Sequence, residues 1–290
     1  MAAHLFAAID VGSFELEMGI YETTSRNGLR EIDHLRHVIS LGRDTYHTGK
    51  ISYHLVDEMC QVLEEFEQVM KSYQVEDYRA YATSAMREAK NSQIILEQIR
   101  VRTGIQVQVI SNSEQRFLGY KAIAMKEAEF QKIIQKGTAI ADVSFGSLQI
   151  SLFDKDSLVS TQNIQQGILR LRENLSGVWS DRQTVLGIFE DMVDNELYAF
   201  KKMYLKDRDI KNLICIGESI LYLARDEVAG KRVDRISAAD FQKFYEKLIQ
   251  MPVDQIEDRF GVNQEYAHLL IPAAIIYKQI LEMTGAEMLW

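Results

Sequence analysis

Over the first forty residues the chain alternates in the manner of strands. Residues 4–10 form an apolar run, and Leu16, Met18 and Ile20 alternate with Glu15, Glu17 and Gly19. That two-residue period is the mark of a half-buried strand. A polar turn over 23–28 and a third strand over 29–41 complete two hairpins. Then the period changes. Leu55, Met59, Val62, Leu63, Phe66, Val69 and Met70 recur at helical spacing opposite Glu64, Glu65 and Gln68, which predicts a helix over 52–73. A short strand over 78–82, a helix over 84–103 and a strand over 106–111 follow. A further helix starts after Ser111 or Ser113, either of which can cap it.

The second half repeats the opening. Asp10-Val11-Gly12-Ser13-Phe14-Glu15-Leu16 aligns without a gap on Asp142-Val143-Ser144-Phe145-Gly146-Ser147-Leu148, at an offset of 132 residues (142 − 10). Apolar positions coincide at the alternating sites beyond. Each copy follows an apolar strand and precedes a turn and another strand, the second over 158–164. A duplicated hairpin whose turn follows an aspartate implies two similar lobes with a cleft between them. After Gly167 the pattern is mostly helical, over 182–204, 237–250 and 263–283, with a strand over 211–216. Pro252 suits a helix start, and Pro272 is expected to kink the last helix or begin its second part.

A length of 290 residues fits two domains, expected over 1–125 and 126–290. No apolar run approaches the ~18 residues of a membrane helix, and the N-terminus lacks a signal-peptide pattern, so a cytoplasmic location is expected. Cys60 and Cys215 read as buried free thiols. The net charge of −9 argues against general DNA or membrane affinity. An anionic ligand needs only a local cluster of donors.

Several segments supply such donors. The Asp10-Val11-Gly12-Ser13 and Asp142–Ser147 turns place Gly and Ser between strands, where backbone N–H groups form an anion nest. Gly12, Ser13, Ser144, Gly146 and Ser147 are the candidate contacts. Thr83-Ser84-Ala85-Met86-Arg87-Glu88 lies at a strand-to-helix junction, where unpaired N–H groups favour an anion, with Ser84 and Arg87 as donors. Glu114 is an early-turn carboxylate that the helix dipole stabilises in any case. Gly167-Ile168-Leu169-Arg170 and Gly217-Glu218-Ser219 each lead into a helix at the kind of position where an α/β protein binds ligands. His34 and His37 lie three apart in a strand, so they point to opposite faces and make no metal pair.

In this order the segments resemble the exopolyphosphatase/guanosine-pentaphosphate phosphohydrolase family of the actin/sugar-kinase/chaperone ATPase superfamily. The most specific stretch is Ala82-Thr83-Ser84-Ala85-Met86-Arg87-Glu88-Ala89-Lys90-Asn91. Ala8-Ile9-Asp10-Val11-Gly12-Ser13, Leu41-Gly42, Thr48-Gly49, Ile51-Ser52, Val109-Ile110-Ser111 with Glu114, and Gly167 with Arg170-Leu171 match as well. The resemblance implies an α/β fold of two ribonuclease-H-like, actin-like lobes with mixed sheets flanked by helices and an active cleft between them. It implies hydrolysis of the terminal phosphate of polyphosphate or of guanosine pentaphosphate. Glu114 would direct the attacking water, Asp10 and Asp142 would help hold Mg²⁺, and Arg87, Arg170 and the loop donors would clamp phosphate oxygens. Polyphosphate or guanosine penta- or tetraphosphate is then the expected partner, and a homodimer the expected assembly.

The chain departs from the family pattern in its loops. Phe14-Glu15 stands where Asn-Ser is usual. The second loop has lost two glycines and closes on Gln149 where a glutamate is usual. Glu218 sits in the later glycine-rich element, and the family pattern continues past Trp290. These departures set a catalytically weakened sensor of polyphosphate or of guanosine penta- or tetraphosphate beside the hydrolase. An actin-like kinase or ATPase is a third reading, compatible with the Asp142 loop but disfavoured by the Arg87 segment.

Overall fold

The computed structural model describes residues 4–24, 28–124, 127–174, 182–206, 208–224 and 233–290. The extreme N-terminus and the tip of the expected 23–28 turn lie outside those residues. The chain divides into two compact units, Met1–Gln115 and Arg116–Trp290.

In the first unit the alternating segments form an antiparallel meander, β1 (His4–Val11), β2 (Glu15–Thr24) and β3 (Gly28–Val38). Leu16, Met18 and Ile20 are buried, as their spacing requires. β4 (Asp77–Ala82) pairs parallel with β1, and β5 (Val107–Val109) pairs parallel with β4, giving the order β3-β2-β1-β4-β5. Parallel neighbours need a crossover. α1 (Leu41–Thr48) and α2 (Tyr53–Tyr73) lead from β3 to β4, and α3 (Ser84–Glu88) and α4 (Ser92–Thr103) lead from β4 to β5. Met59, Leu63 and Ile99 are fully buried in one cluster with Met18 and Leu16. At roughly 1.5–3 kcal/mol per large apolar side chain, this burial is the main force ordering the unit.

Two sequence expectations fail here. The third strand ends at Val38, and α1 occupies 41–48, a stretch too polar to show helical periodicity. Left-handed Ser40 and Gly49 bound it (φ 50° and 73°). The helix expected over 84–103 is broken into α3 and α4. The Asn91 side chain accepts from Ile51 N–H (3.1 Å) and donates to Ile51 C=O (2.8 Å), a tertiary pairing at the break that periodicity does not register.

α5 (Asn112–Ala124) runs across the division, and α6 (Glu127–Ile133) follows it. β6 (Thr138–Val143), β7 (Leu148–Asp154) and β8 (Ser157–Ile164) repeat the meander. α7 (Ile168–Asn174) and α8 (Arg182–Phe200) follow, the latter ending in a π-helical turn, Lys201–Leu205. β9 (Asn212–Ile216) then pairs parallel with β6, and α9 (Glu218–Leu223) leaves its end. β10 (Ile236–Ser237), α10 (Ala238–Leu248), α11 (Val253–Phe260), α12 (Gln264–Thr284) and β11 (Met288–Leu289) complete the chain, with sheet order β10-β11-β9-β6-β7-β8. The run β8-β7-β6-β9 reproduces β3-β2-β1-β4 strand for strand. Each unit is therefore a lobe of the expected actin-like kind.

α12 is buried almost all round, including Leu270, Ala273, Ile276, Tyr277 and Ile280, which is the signature of a core helix. Pro272 lies inside it without ending it. Among the described residues no helix is long and apolar enough to cross a membrane. Both cysteines are free; Cys60 is buried and Cys215 partly so.

Candidate phosphate-binding site

In the first unit, local folding gathers three of the sequence-predicted segments. Val11 ends β1, and the turn to β2 is closed by Gly12 N–H donating to Glu15 C=O (3.0 Å). A Cβ on Gly12 would lie 2.8 Å from that carbonyl, so the turn needs glycine there. The start of α1 then caps the loop's carbonyls: Ile39 and Ser40 N–H donate to Phe14 C=O (both 2.9 Å), and Gly42 N–H to Ser13 C=O (2.6 Å). None of these bonds uses the N–H of Ser13. The Ser13 hydroxyl accepts from the Ala85 N–H (3.1 Å) and from the Tyr46 hydroxyl (2.8 Å). Tyr46 also reaches Ser84 Oγ (3.3 Å), and Ser84 donates to Glu88 (3.0 Å). Ser13 and Ser84 are both buried.

Arg87 is half-buried and donates to Ile110 C=O at the end of β5 (2.8 Å). Burial holds its pKa below the usual arginine value, against the opposing pull of Glu88 and Tyr46. A fixed, partly desolvated guanidinium is a strong binder of phosphate oxygens.

Glu114 is exposed in the first turn of α5. Its carboxylate accepts from Ser111 N–H (2.8 Å) while its own N–H donates to Ser111 Oγ (3.2 Å). This is a reciprocal capping box. Hydrogen bonding to its carboxylate from the Ser111 backbone N–H, and then from the Ser111 side chain, holds the Glu114 pKa below the ordinary glutamate value. One carboxylate oxygen remains uncommitted among the described residues.

Asp10 faces Glu17 across the β1–β2 ladder. Arg36 of β3 forks onto Glu15 (3.2 Å) and Glu17 (2.8 Å), which compensates the Glu15 carboxylate that the departure from Asn-Ser places in a buried position. His37 lies against Glu58 and His34 against Glu31 and Glu17, so the two histidines serve separate carboxylates.

The second unit repeats the bond that closes the loop. Ser144 N–H donates to Ser147 C=O (3.0 Å), the counterpart of the Gly12–Glu15 bond at the same offset. The start of α7 caps the loop as α1 caps the first: Ile168 N–H donates to Ser144 C=O (3.1 Å) and Leu169 N–H to Phe145 C=O (2.8 Å). Arg170 donates through Nε to Gly146 C=O (3.2 Å), so here the arginine braces the loop from behind. The Phe145 ring packs edge-on against Tyr266 of α12. Gly167 lies so close that a Cβ would stand 2.4 Å from the Gly146–Ser147 peptide, and a Cβ on Gly217 would stand 2.4 Å from Val143 C=O.

Asp142 accepts no hydrogen bond among the described residues, and burial pushes its pKa up to about 6. Its cross-strand neighbour is Gln149, whose own neighbour on β8 is Asn163. Gln149 is 2% exposed, and neither polar atom of its amide has a partner among the described residues. The Asn163 side-chain oxygen is also unpartnered. A carboxylate desolvated beside unsatisfied amide oxygens is an oxygen-donor set of the kind Mg²⁺ takes. Tyr46, Asn163 and the Arg36 fork had no signal in the sequence, because each acts through contacts distant along the chain.

The model of the Ppx/GppA phosphatase family matches residues 20–289. Exopolyphosphatase 1 of Mycobacterium tuberculosis is 22% identical over 286 residues, covering 96% of this chain and 82% of that protein. The guanosine-5'-triphosphate,3'-diphosphate pyrophosphatase of Vibrio parahaemolyticus is 20% identical over 224 residues, covering 77% of this chain and 43% of that protein. Among solved structures, an exopolyphosphatase from Cytophaga hutchinsonii superposes with a TM-score of 0.79 at 17% identity, covering 99% of this chain and 93% of that one. A Ppx/GppA member from Aquifex aeolicus gives 0.75 at 21% identity, with the same coverages. The chain belongs to the Ppx/GppA phosphatase family.

Proposed function

We propose that the protein hydrolyses the terminal phosphoanhydride bond of inorganic polyphosphate or of guanosine pentaphosphate. The observation that carries this reading is the assembly, within one unit, of the Ser13 loop and the Arg87 helix start around shared hydrogen bonds. In the reaction, water adds to the end phosphorus and the bridging P–O bond breaks. The water's proton passes to solvent or to the departing oxygen. The transition state of phosphoryl transfer is loose, so positioning and charge stabilisation outweigh basicity. Glu114 suits that demand. Held at a low pKa by its capping bonds, it is a weak base but a fixed, ionised acceptor that can orient water through its second oxygen. Arg87 and the loop donors stabilise charge on the nonbridging oxygens. Asp142, near the amide oxygens of Gln149 and Asn163 in the second unit, and Asp10, the corresponding carboxylate of the first hairpin, are the candidate holders of Mg²⁺, which would neutralise phosphate charge.

The test is phosphate release from long-chain polyphosphate and from guanosine pentaphosphate with Mg²⁺ and Mn²⁺. Release that depends on metal and disappears in Glu114→Gln supports the reading. No release from either substrate rejects it. The buried, neutral Gln149 favours a second reading, a binder of the same ligands with little turnover. Tight binding by calorimetry without release, and release restored by Gln149→Glu, would select it.

A further inference from the structure

A serine hydroxyl has one proton and two acceptor lone pairs. Both lone pairs of Ser13 are engaged, one by the Ala85 N–H at 3.1 Å and the other by the Tyr46 hydroxyl at 2.8 Å. With Tyr46 as the donor of that bond, the Ser13 proton goes to neither neighbour, and no other acceptor receives it among the described residues. Ser13 is only 3% exposed, so water is a poor substitute. Its neighbour Ser84 is in the opposite state, with its proton given to Glu88 at 3.0 Å and the longer contact from Tyr46 at 3.3 Å. Tyr46 has one proton for two serines, and the shorter distance assigns it to Ser13.

We propose that Tyr46 is a positioning residue that fixes Ser13 as a committed hydrogen-bond donor to the substrate's phosphate oxygens. The inference rests on the phosphoanhydride reading and adds to it a residue outside the loops. Without the tyrosine hydroxyl, Ser13 regains a lone pair and can turn its proton elsewhere, so its donor direction is no longer imposed. A hydrogen bond to a charged acceptor is among the stronger kinds. Tyr46 acts on the ligand chiefly through this orientation, so most of its effect is expected to vanish where Ser13 has no hydroxyl.

That dependence defines the experiment: wild type, Tyr46→Phe, Ser13→Ala and the double variant, each checked by thermal melt, with long-chain polyphosphate as ligand. Tyr46→Phe is expected to raise KM, and the calorimetric Kd, about 5–30-fold with kcat little changed. Ser13→Ala is expected to do the same, and the double variant to be no worse than Ser13→Ala. Additive losses in the double variant, or an unchanged KM in Tyr46→Phe, would overturn the proposal. If wild type neither binds nor hydrolyses polyphosphate or guanosine pentaphosphate, the functional reading fails first. Inorganic phosphate titrated by thermal shift then decides the tyrosine's role separately. Stabilisation that Tyr46→Phe weakens only when Ser13 is present retains it, and any other pattern removes it.

Discussion

In the Ser111–Glu114 capping box the Ser111 hydroxyl takes the Glu114 N–H of α5 and one of the two carboxylate oxygens takes the Ser111 N–H. A glutamine can make the same cap, since its amide oxygen accepts from the Ser111 N–H, but it carries no charge. Glu114→Gln is thus expected to melt close to wild type at neutral pH while phosphate release falls by a factor of about 10² or more. Glu114→Ala should lose release and melt lower as well. If both variants lose thermal stability equally, the glutamate is structural first. The sign of its pH dependence follows from the same bonds. The folded pKa lies below the unfolded value, so the cap's stabilisation is present above the ordinary glutamate pKa and is lost as pH falls through the folded one. A carboxyl titration by NMR should place Glu114 below free glutamate. Gln149 poses the opposite problem, a buried amide that finds no partner among the described residues. Gln149→Glu puts a second carboxylate beside Asp142, where charges repel and are poorly solvated. Without metal its melting temperature is expected to fall by several degrees, and millimolar Mg²⁺ should restore it. A variant indifferent to Mg²⁺ would show that this row of side chains holds no cation.

At the level of elements, glycine sets how closely the site's pieces approach. Gly217 links β9 to α9 at φ 128°, a region that side chains avoid, with Val143 C=O 2.4 Å from where a Cβ would be. Gly217→Ala is expected to cost about 2–4 kcal/mol in a denaturant melt, from backbone strain plus displacement of the β6 end. A cost under ~0.5 kcal/mol would mean the backbone can relax freely there. By comparison Asn263→Ala removes only a cap, the bond to Tyr266 N–H at 2.9 Å, and should cost about 1 kcal/mol. These contrasts also explain what could be read from the chain beforehand. The meanders were legible because one buried face imposes strict alternation, and α2 and α12 because their apolar positions recur over several turns. Ser111-x-x-Glu114 was legible as a helix start because its bonds are local. α1 was not, because it is short and polar, and the break at Asn91 was not, because its cause is Ile51, forty positions away in the chain. The loops themselves were found through their repetition. What each loop side chain does was hidden, since Phe145 answers to Tyr266 and Ser13 to Tyr46.

For the whole molecule, duplication implies two cores, and their composition makes that concrete. The cluster around Met18, Met59 and Leu63 draws only on residues 7–109, counting the partly buried side chains packed on it. The second unit has its own interior, with α12 at its centre and a smaller cluster of Phe130, Ile134, Ile140 and Ile214 on another part of its sheet. A core that closes within one stretch of chain can unfold as a cooperative unit of its own. Met59→Ala and Ile276→Ala each remove a fully buried side chain, and each is expected to cost about 2–5 kcal/mol. If the units unfold separately, calorimetry of the two variants will show different transitions displaced, one by each substitution, with the other unmoved. If both substitutions lower a single transition by the same amount, the units share one cooperative unfolding step, and the coupling must then be strong enough to override two separately closed interiors. The first outcome is the expected one, because none of the side chains in the Met59 cluster comes from beyond residue 109.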